Sequence, residues 1–314
     1  MTEDFTHLKG FDRYTDIDIT NKVHQSVIMF FDWGFLDKGA FTNVRLNRSD
    51  INSNNHSRLR LVNDPNYTNG QVWETFRNSL VWESGVSCDT KPISISGVYI
   101  DGTLRTPSDP VYGHYVDYER GRVVFSGAIP TTKSVYMEYS YKSICFGRES
   151  SYPAIRELQV NPNNQEYFFS SASGDWSTLL RRQCPLVVIE ADNNINYEPY
   201  SLGTGAQDVN TTILMHIYDF NDTTVNKLAS LISLQKEKTI YSIDFDLVAA
   251  SGEYPLDYRG AKSSSPKTYV DFVNGNYRHA KIYFEDGIVT GNQPLANNIY
   301  HGTVKFVTQT IATV

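Results

Sequence analysis

The sequence predicts an α+β protein: an antiparallel β-sandwich-like domain, then a second α+β domain with a mixed or antiparallel sheet packed on helices. Three observations lead there. From Pro92 to Tyr141, short alternating runs are broken repeatedly by Gly and Pro. From Leu186 to Leu247, two strand-like runs precede a 3.6-residue apolar stripe and a further alternating run. Upstream, Ile17–Asp37 carries a second helical stripe. The 314 residues have length for about two domains. The expected division is 1–40 as an N-terminal arm and helix, 41–150 as a β-rich domain, and 151–314 as an α+β domain with a long loop at 249–267.

Residues 1–16 read as an arm with little to bury, although Phe5, Leu8, Phe11 and Tyr14 suit a neighbouring surface. In the helix that follows, Ile19, Val23, Val27 and Phe30 form the stripe, Asp18 or Thr20 can cap it, and Gly39 can end it. Met29–Leu36 is apolar almost all round, which requires enclosure on most sides. Residues 40–90 are loop-rich, with turn signals at Asp64-Pro65-Asn66 and Asn69-Gly70. Trp73 and Trp82 there are expected as lids over the core. The other use for them, with Tyr67, is a carbohydrate-binding platform. Pro92–Ile100 reads as a strand and Asp101-Gly102 as a tight turn. Tyr115–Tyr118 and Arg122–Phe125 flank Glu119-Arg120-Gly121 as a hairpin, and Val135, Met137, Tyr139 and Tyr141 alternate with polar residues.

A short helix is expected at Trp176–Arg182, after Ser173-Gly174-Asp175. Leu186–Glu190 reads as a short strand, Asn193–Gln207 as a polar loop, and Val209–Tyr218 as a strand facing inward through Val209, Ile213, Met215 and Ile217. Val225, Leu228, Ala229 and Ile232 mark one face of a helix with Asn221, Asp222 and Thr223 at its N-cap. Burying Val225, Leu228 and Ile232 should stabilise it by roughly 1.5–3 kcal/mol per side chain. Tyr241, Ile243, Phe245 and Leu247 alternate as another strand. Ala249–Lys267 is long and polar, the kind of segment that orders on assembly. Tyr277–Phe284 and His301–Ile311 close the sheet.

Composition narrows the function. Lys and Arg number 28 against 35 Asp and Glu, a net charge of −7, which argues against binding nucleic acid through a basic face. No apolar run approaches the ~20 residues of a membrane span, and Met1–Gly10 is too polar and acidic for a signal peptide. Cys88, Cys145 and Cys184 lack metal or redox spacing and are expected as reduced thiols of a protein made in the cytosol. Asp16/Asp18, Asp117/Glu119, Glu190/Asp192 and Asp244/Asp246 are the carboxylate pairs. The last is expected on one strand face within reach of one cation, but without a third ligand. The seven histidines form no HExxH or HxH pattern, and Gly203-Thr204-Gly205 is a lone GxG. No catalytic residue, cofactor or metal ligand is assigned, and an enzyme is not expected. The 21 Tyr and 16 Phe suit β-rich surfaces that meet other proteins.

Several segments carry a resemblance: LRLVNDPNYTNGQVWETFRNSLVWESGV, ISISGVYIDG, HYVDYERGRVVF, EYSYKSI, IRELQV, YEPYSLGTGAQDV, KEKTIYSIDFD and GEYPLDYRGA. Over most of residues 59–260 the chain resembles virion structural proteins of large, contractile-tailed bacteriophages, including those of cyanophages. The resemblance implies a neck or head–tail joining subunit with a tail-terminator-like domain at 151–314. It also implies a hexameric or dodecameric ring that contacts other neck and tail proteins, assembles in the host cytoplasm and ends in the virion. Genomic DNA would pass without specific binding, and no membrane is involved. Another tail or baseplate adaptor is the alternative, with a carbohydrate-binding module below it. Phe5, Phe11, Tyr254, Tyr258 and Arg259 are the expected contacts between subunits.

Overall fold

The computed structural model describes residues 13–46, 56–148, 183–199, 206–296 and 299–313. They form an α+β protein of two bodies. The first helix, α1 (Ile19–Asp37), starts where the Asp18 carboxylate accepts the Asn21 amide at 2.9 Å. Nine short strands follow: β1 (Phe41–Val44), β2 (Arg60–Leu61), β3 (Val72–Glu74), β4 (Val98–Ile100), β5 (Thr103–Arg105), β6 (His114–Asp117), β7 (Arg122–Phe125), β8 (Val135–Tyr136) and β9 (Tyr139–Lys142). They pair as β2-β3-β7-β6, β5-β4-β8 and β1-β9. These small sheets close on a core that includes Leu59, Trp73, Val98, Val123, Phe125, Met137 and Tyr139. The β6–β7 hairpin is the expected one, with Tyr115 opposite Val124.

The second body comprises β10 (Cys145–Arg148), β11 (Leu186–Pro199), β12 (Ala206–Asp219), α2 (Asp222–Ser233), β13 (Thr239–Ile243), α3 (Phe245–Ser251), α4 (Tyr269–Asn274), β14 (Arg278–Phe284), β15 (Ile288–Ala296) and β16 (Ile299–Thr313). Its sheet runs β10-β11-β12-β16-β14-β13, and β15 also pairs with β16. The β10–β11 pair is parallel, and the other pairings of this sheet are antiparallel. Side chains alternate across β12, so Ile213, Met215 and Ile217 all face the helices and are fully buried. Val225, Leu228, Ala229 and Ile232 of α2 meet them as the stripe requires. The Asn221 side chain caps α2 by accepting the Thr223 amide.

Helix α1 lies in this same core. Val23, Val27 and Phe31 are buried there, with Phe31 6.1 Å from the Phe284 ring and 6.4 Å from Phe306. The β-rich body is therefore inserted between α1 and the sheet that α1 covers. The all-round apolar end of α1 is enclosed only in part: Phe31 and Leu36 are buried, and Trp33 and Leu36 pack against Val81 and Val86 of the inserted body, while Phe30, Trp33 and Phe35 stay half-buried.

Three local expectations are corrected, and two elements were not foreseen. Asn193–Gln207 is not all loop: β11 continues to Pro199 and β12 begins at Ala206, with an irregularity between Ala191 and Ile195. Ladder hydrogen bonds satisfy a polar backbone segment as well as an apolar one. The run through Leu247 is not one strand, because Asp244 stops β13 and caps α3, accepting the Asp246 and Leu247 amides. Only Val98–Ile100 of Pro92–Ile100 is strand. The unforeseen elements are α4 and β15; in β15, Gly291 and Pro294 interrupt the pattern and coincide with shifts of register. Trp176–Arg182 and Gly203-Thr204-Gly205 lie outside the described residues.

The 249–267 segment is a strap rather than a free loop. After α3, Gly252 turns it away, Leu256 packs against the core of the inserted body, and the Tyr118 amide donates to the Gly260 carbonyl at 2.9 Å. Gly260 has φ +73°, and a Cβ there would stand 2.3 Å from Asp117 Oδ1. A left-handed backbone pressed on a buried carboxylate accepts only glycine. Gly260→Ala is therefore expected to lower stability by about 1–2 kcal/mol from backbone strain, before any clash. Chemical denaturation checks this, and an unchanged midpoint would contradict the docked strap.

Candidate functional site

Most clustered charges in the described residues join one element to another. Lys142 Nζ on β9 lies 2.5 Å from Asp32 of α1 and 2.6 Å from Glu83 of the inserted body. The Glu83 side chain is only 3% exposed. Burial works against the ammonium, but the two carboxylates more than offset it and hold the Lys142 pKa above its ordinary value. A cleft of about 540 Å³ between the bodies includes Asp32, Lys142, Cys145, Arg148 and Leu256 in its walls. It has carboxylate, ammonium and thiol, yet Lys142 is committed to both acids and burial pushes the Cys145 thiol up. Arg148 is bonded to Asn21 and His24. These groups join parts of the fold to one another.

Asp244 and Asp246 do converge on one cation, the side chain of Lys22, at 3.3 and 2.7 Å. They do so across a helix N-terminus, not along a strand face. Burial tends to raise the Asp246 pKa, but the Lys22 ammonium and the Ile17 amide hold it below its ordinary value. Of the other acids, Asp18 is a cap, Asp16 accepts the Arg13 amide at 2.8 Å, and Asp117 accepts the Arg120 amide at 3.0 Å. Among the described residues, no three His, Cys, Asp or Glu side chains are grouped to hold a metal ion.

On the sheet face turned away from the helices, His216 Nδ1 and His301 Nε2 lie 3.1 Å apart, and His216 Nε2 is 3.3 Å from Glu190. The Thr303 hydroxyl is 3.3 Å from both ring nitrogens. Burial, and then His216, depress the His301 pKa to about 4.

The exposed aromatic residues form a different kind of site. Where the strap crosses β6, the Arg259 guanidinium lies 4.9 Å from the Tyr115 ring centroid and 5.6 Å from that of Tyr258. Asp257 pairs with Arg259 at 2.8 Å, and the Tyr67 hydroxyl is 3.3 Å from that of Tyr115. Tyr258 is 95% exposed and Tyr254 51% exposed. Thus two of the expected contacts, Tyr258 and Arg259, stand together in a Tyr–Arg stack, while Tyr254 is exposed on the same strap. Phe5 and Phe11 lie outside the described residues. The sequence reading missed Tyr115 as a member, although its place in the hairpin was the available signal. Tyr and Arg are the residue types that most often carry the energy of protein contacts, because each presents rigid area with polar edges. Trp73 cannot serve as a sugar platform: it is 4% exposed, with its indole N–H donating to the Gly70 carbonyl at 3.0 Å. The lid reading of that tryptophan is the one realised.

Comparison with protein-family models, with curated proteins and with solved structures finds no match. No helix of the described residues is long and apolar enough to cross a membrane.

Two outcomes follow from these clusters. Lys142→Ala leaves Asp32 and Glu83 without their ammonium and is expected to cost about 3 kcal/mol or more in chemical denaturation; a loss below about 1 kcal/mol would contradict the tie. His301 stays neutral in the native protein while the unfolded chain takes up a proton below about pH 6.5. Stability should therefore fall on acidification from about pH 6.5 to about 4, since the unfolded state binds more protons there. His301→Gln should flatten that part of the stability profile, and an unchanged slope would contradict it.

Proposed function

We propose that this chain is a structural subunit of a tailed-phage virion that forms a ring in the neck, links portal to tail and lets DNA pass. The observation that carries the reading furthest is the division of labour among side chains. The buried charged groups at Lys142 and Lys22 join elements of the fold, while exposed Tyr67, Tyr258 and Arg259 form a contact-ready surface beside Tyr115. A net charge of −7 on each copy adds support, because a ring of such copies repels the phosphate backbone and would not retain passing DNA. The segments that resemble phage virion proteins support a location in the particle. A ring also needs a heterologous contact, in which two different surfaces of the chain meet.

The purified full chain is expected to be a closed oligomer, hexameric or dodecameric, by native mass spectrometry. Arg259→Ala, at a strap residue paired with exposed Asp257, should weaken that oligomer by tenfold or more and leave the melting temperature of the subunit within about 2 °C. An oligomer as stable as that of the wild type would remove the Tyr–Arg stack from the interface.

A further inference from the structure

The strongest unassigned feature is an apolar groove between α1 and α2. It encloses about 860 Å³, and Phe30, Gly34, Phe35, Leu228 and Leu231 are among its walls. Gly34 keeps it open, since nothing lies within 4 Å of where a Cβ would stand. Leu231 on the groove wall and Leu234 just beyond α2 are 38% and 72% exposed, apolar surface that the α2 stripe does not account for. The charged rim is mainly basic. Lys38, Lys227 and Lys238 line it, and Lys238 Nζ lies 5.7 Å from the Phe30 ring centroid. The acidic member, Asp37, is already bound to the Ser87 amide and hydroxyl.

One segment of this chain complements that groove in both respects. Residues 1–12, MTEDFTHLKGFD, place Phe5, Leu8 and Phe11 at intervals of three and carry Glu3, Asp4 and Asp12 against a single Lys9. The segment is attached before the N-terminal end of α1, whereas the groove lies along the helix's C-terminal half. The Ile17 amide donates to Asp246 at 3.0 Å, which fixes this end of the chain on the α3 side of α1. Before it, Arg13–Asp16 is a closed turn. Gly34 lies about 22 Å farther along the helix axis than Ile19, on the side facing α2. Phe11 is two residues from Arg13, a span of at most about 7 Å. Covalent reach thus ties Phe11 to the neighbourhood of Arg13, a limit that the groove of an adjacent copy does not impose.

We propose that residues 1–12 of one copy dock in the α1–α2 groove of the next, with Phe5, Leu8 and Phe11 in the apolar floor and the acidic residues against the lysine rim. This rests on the ring reading and supplies its heterologous contact: a donated segment on one side and a receiving groove on the other. A chain of such exchanges closes into a ring when the rotation between copies divides a full turn.

Disulfide trapping in the full chain tests it. With Phe11→Cys and Leu231→Cys combined, mild oxidation should give a ladder of covalent multimers on non-reducing gels, and either single variant should not. The variants are made on a Cys88→Ser background, because Cys88 is only half-buried, while Cys145 and Cys184 are buried and compete little. Gly34→Phe, added to the pair, should reduce the ladder by tenfold or more by filling the groove. A cross-linked product that stays at monomer mass would overturn the proposal by placing the segment in its own groove. Absence of any cross-link would overturn it too, leaving the groove to residues 149–182 or to another protein. Light scattering on the unaltered full chain separates the two levels: an oligomer there with no ladder from the double variant removes only the groove contact, whereas a monomer at every concentration removes the ring.

Discussion

The arrangement of the two bodies depends on one buried ammonium. The chain leaves α1 at Gly39, builds the β-rich body, and re-enters the second sheet at Cys145, so both crossings lie close together. There β1 and β9 pair, with Phe41 opposite Lys142, and Lys142 reaches Asp32 on one side and Glu83 on the other. Removing charges from water is costly, and a buried ion pair need not add net stability over an apolar substitute. Its directionality differs from that of apolar packing, however. Three groups that must meet within hydrogen-bond distance set the angle of the inserted body on α1, which the greasy contacts of Trp33 and Leu36 do not specify. The strap then closes the other side through Gly260 and Leu256.

That orientation brings together surfaces that belong to different parts of the chain. Tyr67 and Tyr115 come from the inserted body, and Tyr258 and Arg259 from the strap anchored in the second body. Their stack exists because the strap crosses β6 at Gly260, where no side chain intervenes. The α1–α2 groove is likewise composite: α1 precedes the insertion, α2 follows the long β11–β12 ladder, and Phe31 and Val225 hold both helices on one sheet face. A subunit that must present several surfaces in fixed relation benefits from such cross-ties, because assembly then requires little reorganisation.

Much of this was legible in the sequence where one periodicity governs burial. The stripe of α2, the α1 stripe with Asp18 as cap, the β6–β7 hairpin and the Val135–Tyr139 alternation all follow from apolar residues meeting one core. Legibility failed where backbone pairing or a single cap decides. Polar residues in the β11–β12 ladder hid its length, since hydrogen bonding to a neighbouring strand leaves no mark in hydropathy. Asp244 changed strand into helix within one residue, and the run of alternating apolar residues continued through it. The Lys142 tie joins residues 59 and 110 positions apart in sequence, and no local pattern announces such a meeting. Of the surface, Tyr258 and Arg259 stood out as aromatic and basic residues on a polar segment. Tyr115 and the groove did not, because they depend on what lies opposite them in space.

The proposed role requires this fold to present surfaces through which copies of itself close a ring. Electron microscopy of the purified full chain addresses it most directly. Closed rings of uniform copy number around an open channel are expected; isolated subunits at every concentration, or open filaments without closure, would contradict it.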